Sequence, residues 1–190
     1  PAPISTAHAG LAELFFCLTI AIALFTSPGW KAGYGRSASE AAGVDDRMLR
    51  SVATTATSLV YVQILVGATM RHTGAGLAIP DFPLMFGHLV PDHWDRMIAI
   101  HFAHRVGALV VALAVVATSA HVWYHHRRRP ELVRPALLVP ALVVGQITLG
   151  ALTVLSQRAV WINSAHVVCG ALVPFLLLYL RGGMGGGDVK

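Results

Sequence analysis

The chain has 190 residues, of which 55% are hydrophobic and only 12% are charged, and its mean hydropathy is +0.64. Soluble domains carry about 25% charged residues, so one small core cannot bury this much apolar surface, and lipid is the expected solvent. The net charge of +5 comes largely from basic residues in short loops. Such a distribution is a membrane topology signal, and it excludes nucleic acid as an expected partner.

Five segments are long enough to cross a bilayer, which takes about 20 residues of α-helix. Each segment is apolar on nearly every face, which favours a lipid-embedded bundle over a soluble amphipathic helix. The sequence therefore predicts an all-α polytopic membrane protein with five transmembrane helices. In chain order they cover residues 5–27, 49–70, 96–124, 135–156 and 159–180.

Basic residues concentrate in alternate loops, between helices one and two, between helices three and four, and after helix five. The positive-inside rule makes these segments cytoplasmic, so we expect a protein of the cell (inner) membrane with its N-terminus outside and its C-terminus in the cytoplasm. The chain starts at Pro1 without a signal sequence, and we expect it to be part of a longer protein. The predicted units are a lone helix (1–30), a cytoplasmic loop (31–48), a four-helix bundle (49–181) and a disordered tail (182–190).

A short pattern occurs twice along the last four helices. Helix two contains QILVGA from Gln63 and helix four contains QITLGA from Gln146. In each case the next helix carries a histidine and then, after two or three further residues, Gly-Ala-Leu. These segments start at His104 and His166. Two helical hairpins of one design predict a bundle with approximate internal symmetry.

His104 and His166 lie inside transmembrane segments, where an ionisable side chain is costly and usually functional. Both lie about 10–12 Å along helices that start on the same side, at 1.5 Å per residue. Gly107 and Gly170 follow one turn later on the same helix face and leave room for a flat macrocycle. These features predict bis-histidine ligation of a heme iron. The competing interpretation is a pair of histidines that form interhelical hydrogen bonds.

The other histidines carry weaker predictions. His8, near the outer end of helix one, could ligate a second heme iron with a histidine of another helix, or could be an interfacial residue. His101 could contact a heme edge or merely line the bundle. His121, His125 and His126 border the basic loop and are expected to be solvated or interfacial.

Two arginines lie near the predicted heme site. Arg71 ends helix two at the outer boundary, and Arg105 follows His104 inside helix three. A buried guanidinium needs an anionic partner, and heme propionates, Asp81 or Asp92 would serve. Arg71 could instead extend to the lipid headgroups. The outer loop between helices two and three is rich in apolar residues. We expect it to lie on the membrane surface and to cap the helices.

The run RHTGAGLAIPDFPL, which begins at Arg71, resembles the first outside loop of a heme A synthase half. The segments around His104-Arg105, Gln146 and His166 match that family in order and spacing, and the opening from His8 is similar to the fourth helix of the family's first half. The resemblance implies two pseudo-symmetric four-helix halves. This chain would supply the last helix of the first half and the whole second half.

The resemblance also implies the chemistry. The family oxidises a methyl group of heme o to a formyl group, giving heme a for cytochrome oxidase. The second half would hold heme b between His104 and His166, and His8 would be a ligand in the heme o site. Arg71 and Arg105 would be propionate partners. Expected partners are the lipid bilayer, heme, the missing N-terminal helices, and heme o synthase or a respiratory or photosynthetic complex.

One departure and two alternatives remain. Many family members carry a cysteine pair in the outside loops, whereas Ile79 and Met85 stand in the corresponding places, so thiol redox chemistry is not expected in this loop. The family's catalytic acid lies on helices outside this chain, so its catalytic residues here are unknown. The alternatives are a non-catalytic b-type heme electron-transfer subunit of a larger membrane complex, and a heme-free assembly or transport protein.

Overall fold

A computed structural model describes residues 2–28 and 46–182. The described residues form five long α-helices and contain no β-strand. All five helices are long and apolar enough to cross a membrane, as the sequence predicted. They are α1 (Ala2–Thr26), α2 (Arg47–Thr73), α3 (Arg96–His126), α4 (Pro130–Leu155) and α5 (Val160–Gly182). The predicted cytoplasmic loop and tail fall mainly outside the described residues.

Helices α2 to α5 form an up-and-down four-helix bundle. Each of them packs against the helix before it or after it, and α5 closes the ring against α2. Helices α3 and α5 therefore lie across the diagonal of the bundle. The residues that pack together at its centre are small or branched aliphatic side chains, among them Ala56, Val60, Val115, Val139 and Leu177. Many large apolar side chains instead point outward, which is the arrangement expected where lipid replaces water.

Helix α4 begins five residues earlier than predicted, because Pro130 can start a helix. Proline lacks a backbone N–H, and the first N–H of a helix has no intrahelical acceptor in any case. Glu131 in the first turn also interacts favourably with the positive end of the helix dipole. The basic connection between α3 and α4 is consequently only three residues long, from Arg127 to Arg129.

Helix α1 packs outside the four-helix ring, mainly against α2 and less against α5. Gly10 is buried at the contact with α2, where an added side chain would meet Leu65 and the hydroxyl of Tyr61. The hydroxyls of Thr6 and Thr69 lie 3.5 Å apart across the same contact. The opposite side of α1 exposes large apolar residues, including Leu11 and Phe15.

The loop between α2 and α3 folds back over the end of the bundle. Helix α2 ends at Gly74, whose φ of 81° lies in the left-handed region that glycine adopts without strain. A 3-10 helix (Ala75–Leu77) follows, and the buried Ile79 anchors the loop in the bundle. The Phe82–Pro83 peptide bond is cis. This loop keeps many apolar residues exposed, among them Trp94. Its predicted place on the membrane surface stays a prediction.

Candidate functional site

The glutamine of each repeat contacts the histidine of the same repeat. Gln63 Nε2 donates a hydrogen bond to the backbone carbonyl of His104 at 2.7 Å and lies 3.0 Å from the Nδ1 atom of that residue. Gln146 Nε2 donates to the backbone carbonyl of His166 at 2.8 Å. Each bond joins the two helices of one hairpin. The two hairpins therefore fix the histidine-bearing turn of helix in the same way.

Glycines allow these helices to approach closely. A side chain at Gly67 would place its Cβ 3.0 Å from Cε1 of His104, and one at Gly150 would place it 3.3 Å from Cε1 of His166. On the facing helices, an added Cβ at Gly107 or Gly170 would meet the side-chain oxygen of the repeat's glutamine. These contacts give Gly107 and Gly170 a packing role. Their predicted role beside a heme stays a prediction.

The two histidines lie at similar heights on diagonal helices. His104 is eight residues into α3 and His166 is six residues into α5, which corresponds to about 12 Å and about 9 Å along the respective helices. The pair that the repeat singled out thus lies at comparable distances from the starts of two diagonal helices.

The two histidines differ in the contacts of their Nδ1 atoms, because Nδ1 of His104 lies against Gln63. Nδ1 of His166 is buried and has no hydrogen-bond partner among the described residues. A buried polar group without a partner destabilises a fold by about 1–3 kcal/mol, so such an atom suggests that a ligand belongs nearby. Two imidazoles on diagonal helices are suitable ligands for a heme iron. The residues present therefore fit a heme.

His101 has a different environment from His104. Its side chain is buried, and Nδ1 accepts a hydrogen bond from the backbone N–H of Ile79 at 3.2 Å. The ring also hydrogen-bonds the backbone of Ala75. Both contacts lie in the outer loop, so His101 ties that loop to α3. Because its ring hydrogen-bonds the loop, His101 lines the bundle and is not available as a ligand of a heme iron.

Arg105 is held by backbone carbonyls of the outer loop rather than by a carboxylate. Nη1 donates to the carbonyl of Leu84 at 3.0 Å, and Nη2 donates to the carbonyls of Ile79 at 3.2 Å and Asp81 at 2.7 Å. The guanidinium carbon lies 5.8 Å from the centre of the Phe82 ring. The sequence did not predict these hydrogen bonds. Every residue has a backbone carbonyl, so the residue types do not indicate which carbonyls accept.

The two acids considered as partners for Arg105 have other contacts. The Asp81 carboxylate accepts the backbone N–H groups of Gly87 at 2.9 Å and Phe86 at 2.8 Å, and these bonds hold the pKa of Asp81 below its usual range. Asp92 pairs with His93 at 2.6 Å on the exposed part of the loop. Asp81 therefore closes a tight turn of the loop. Its negative charge also stabilises the charged form of the nearby Arg105 guanidinium.

His8 and Arg71 form no hydrogen bond or ion pair with the paired histidines among the described residues. Both side chains are exposed, His8 near the start of α1 and Arg71 in the last turn of α2. Glu13, the acid inside α1, accepts a hydrogen bond from Sγ of Cys17 on the same helix at 3.5 Å. The roles predicted for His8 and Arg71 stay predictions.

We call the end of the bundle that carries the connection from Arg127 to Arg129 the basic end. There, His121 and His126 form a cluster with Asp46 that the sequence did not predict. Nε2 of His121 and Nε2 of His126 each lie 2.7 Å from the same oxygen, Oδ2 of Asp46. Their side chains are 12% and 14% exposed, so residues that were expected to be solvated or interfacial have a specific carboxylate partner. His125 is exposed and its ring stacks on that of His121. We call Asp46, His121 and His126 the basic-end triad.

Comparison with known proteins bears on the whole chain. A family model described as cytochrome oxidase assembly protein (COX15-CtaA) matches residues 2–178. Among similar proteins, a heme A synthase of Geobacillus kaustophilus is 35% identical over 127 residues, which cover 64% of this chain and 39% of the relative.

Two further relatives give similar matches. A heme A synthase of Nitrosospira multiformis is 32% identical over 122 residues, covering 58% of this chain and 32% of the relative. A heme A synthase of Symbiobacterium thermophilum is 31% identical over 124 residues, covering 65% of this chain and 39% of the relative. The matched stretch thus spans less than two fifths of each of these relatives.

Proposed function

This chain belongs to the COX15-CtaA family of cytochrome oxidase assembly proteins, and from that premise we propose that it supplies the bis-histidine heme b half of a heme A synthase. In that role residues 49–181 form the heme-binding bundle. The activity of the whole enzyme would be the oxidation of the heme o methyl group to a formyl group, which gives heme a for cytochrome oxidase. The relatives named heme A synthase support this proposal.

The observation that carries the proposal is the pairing of His104 with His166. The two residues lie on diagonal helices at similar heights, and the glutamine of each hairpin holds the corresponding backbone carbonyl. Symmetric anchoring of two imidazoles suits one metal-centred group between them better than two unrelated hydrogen bonds. The partnerless Nδ1 of His166 supports the same conclusion.

His104 and His166 would hold the heme iron through their imidazole nitrogens. The chemistry that a heme supplies there is one-electron transfer. The chain's own residues set the position of the ligands: Gln63 and Gln146 hold the histidine backbones. The apolar surroundings of the bundle keep water from the site, which affects the potential at which an electron is accepted.

Arg105 is the stronger candidate for a propionate partner. A guanidinium has five N–H groups, and the described hydrogen bonds use three of them. The remaining two are free to donate to a carboxylate at the outer end of the bundle. Arg71 lies at the same end of α2 and is exposed, so it is available for the same kind of contact.

Helix α1 would be the part of the chain that faces the other half of the enzyme. It packs on the ring by one side only, and its other side exposes large apolar residues. His8 is exposed near its outer end, where we propose that it ligates the substrate heme o together with residues outside this chain. The substrate site would therefore be completed by the rest of the protein.

We propose that the basic end of the bundle faces the cytoplasm. The start of α2 and the end of α5 meet there, since Nε of Arg181 donates to the hydroxyl of Thr54 at 2.9 Å. The connection from Arg127 to Arg129 lies at the same end, because α3 finishes beside Asp46. Under the positive-inside rule this places the outer loop and the start of α1 on the opposite side of the cell membrane.

Spectroscopy of the purified chain tests the heme site. We expect about one heme b per chain with a low-spin absorption spectrum, because two imidazoles are strong-field ligands. His104→Ala and His166→Ala should each remove the low-spin bands, whereas His88→Ala, in the exposed loop, should leave them unchanged. Unaltered bands in both variants would overturn the assignment.

The heme inventory of the full-length protein tests the activity separately. When the protein is produced together with a heme o synthase, extracted hemes should include heme a, and His104→Ala should prevent its formation. Finding heme b but never heme a would favour the alternative, an electron-transfer subunit of a larger complex. Finding no heme at all would favour an assembly protein that works without one.

A further inference from the structure

Three side chains with metal-binding chemistry converge at the basic end of the bundle, remote from the paired histidines. The ligand atoms of Asp46, His121 and His126 all lie within 4.8 Å of one another. They come from two elements, because Asp46 precedes α2 and the two histidines belong to the last turns of α3. From this convergence we propose that the basic-end triad is a binding site for a divalent transition-metal ion of the zinc class.

The donor set suits such an ion. Zinc binds imidazole nitrogen and carboxylate oxygen at about 2.0–2.2 Å, commonly with three protein ligands and a water. Ligand atoms around a tetrahedral ion of that size are about 3.4 Å apart. The two nitrogen–oxygen separations are now 2.7 Å, so each must widen by about 0.7 Å to reach that spacing. Small side-chain rotations supply that change.

The carboxylate is already oriented for this role. Oδ1 of Asp46 accepts the backbone N–H of Leu49 at 2.9 Å and caps α2, which leaves Oδ2 facing the two histidines. Burial acts to raise the pKa of Asp46, but the hydrogen bonds from His121, the Leu49 backbone and His126 outweigh it and hold that pKa well below its usual range. The ligand is thus charged at neutral pH.

The histidines are restrained as well. The His121 ring stacks on the ring of His125, with centroids 4.4 Å apart and planes at 23°. Nδ1 of His125 lies 3.1 Å from the carbonyl of His121. His125 therefore supports the triad without being one of its ligands. It offers a matched control, being a histidine of the same helix turn with a different role.

The charged residues around the basic-end triad affect how strongly it binds a cation. The triad contributes one negative charge, while Arg127 and Arg128 beyond it are exposed. Arg129 forms an ion pair with Glu131 at 2.6 Å. Repulsion from the exposed arginines weakens the attraction for a cation and is screened by salt. We therefore expect zinc affinity to rise with ionic strength, which is unusual for a site with an acidic ligand.

A zinc titration of the full chain tests the proposal. The protein is prepared without a histidine tag, stripped of metal with a chelator, and titrated with Zn²⁺ in competition with a fluorescent zinc indicator. We expect one high-affinity ion per chain. His126→Gln and Asp46→Asn should weaken binding by at least about tenfold, since even partners of metal ligands contribute 10–100-fold. Asparagine caps a helix as well as aspartate does, so Asp46→Asn should leave α2 intact.

Two controls separate this site from other histidines. His125→Gln removes only the ring that stacks on His121 and should weaken zinc binding less than His126→Gln or Asp46→Asn, whereas His104→Ala, which alters the paired-histidine site, should bind zinc like the parent chain. Equal zinc binding by the parent, His126→Gln and Asp46→Asn would overturn the proposal, as would an equal loss in His125→Gln. If a variant loses helical circular dichroism, visible ligand-field bands of Co²⁺ bound to the parent chain serve instead, and their absence would equally reject the site.

Discussion

The side-chain amide of Gln63 contacts His104 twice, by a 2.7 Å hydrogen bond to its carbonyl and by a 3.0 Å approach to its Nδ1 atom. The second hairpin repeats the carbonyl bond with Gln146 and His166. A histidine whose backbone is fixed from the neighbouring helix keeps a defined height in the bundle. The glutamines are thus positioning residues for the proposed axial ligands.

Gln63→Leu and Gln146→Leu should each lower the free energy of unfolding by about 1 kcal/mol, because interhelical hydrogen bonds in membrane proteins average about 0.6 and reach about 1.7 kcal/mol. Denaturation in mixed detergent micelles measures this change. Both variants should also shift the heme reduction potential, which a purely structural role would not move. Gln157→Leu, at an exposed position, is the control. An unchanged potential in both variants would remove the positioning role.

Gly67→Ala and Gly145→Ala should have opposite effects. The new Cβ at position 67 would press on His104, so we expect a loss of about 1–3 kcal/mol in unfolding free energy. Nothing lies within 4 Å of the new atom at position 145, and alanine favours a helix over glycine by about 0.5–1 kcal/mol. Thermal unfolding of both variants measures the difference. Similar melting temperatures would contradict the close packing of Gly67 against the His104 ring.

His101→Leu should loosen the outer loop while keeping the heme. The backbone N–H of Ile79 would lose its buried acceptor, which costs about 1–3 kcal/mol. Hydrogen–deuterium exchange should therefore speed up in the peptide that contains Ile79, and the low-spin bands should persist. His93→Leu, on the exposed side of the loop, should change neither. Loss of the low-spin bands in His101→Leu would instead identify it as an axial ligand.

Asp81→Ala should open the turn of the outer loop in a pH-dependent way. The folded pKa of Asp81 lies below the ordinary value of 3.8, so its carboxylate stabilises the turn fully above about pH 4. That contribution disappears as the pH falls through the folded pKa. Exchange rates at Phe86 and Gly87 should thus differ between variant and parent at neutral pH and converge in strong acid. A difference that is independent of pH would rule out the charged form as the cause.

The sequence alone determined the helices and the paired histidines. A bilayer leaves no water for backbone groups, so long apolar segments must form helices, and composition suffices to locate them. The repeat also marked Gln63, His104, Gln146 and His166, because one local pattern specifies one helical hairpin. The predicted boundaries differ from those observed by up to five residues, chiefly where Pro130 starts α4.

Only the tertiary structure decided which distant groups meet. Asp46 is 75 residues from His121 and 80 from His126, and the two histidines are five positions apart, about 140° around a helix. No spacing rule predicts that such side chains converge. The partners of Arg105 were equally hidden, because they are backbone carbonyls. Contacts of this kind depend on how the helix ends and the outer loop pack, and a linear pattern does not encode that packing.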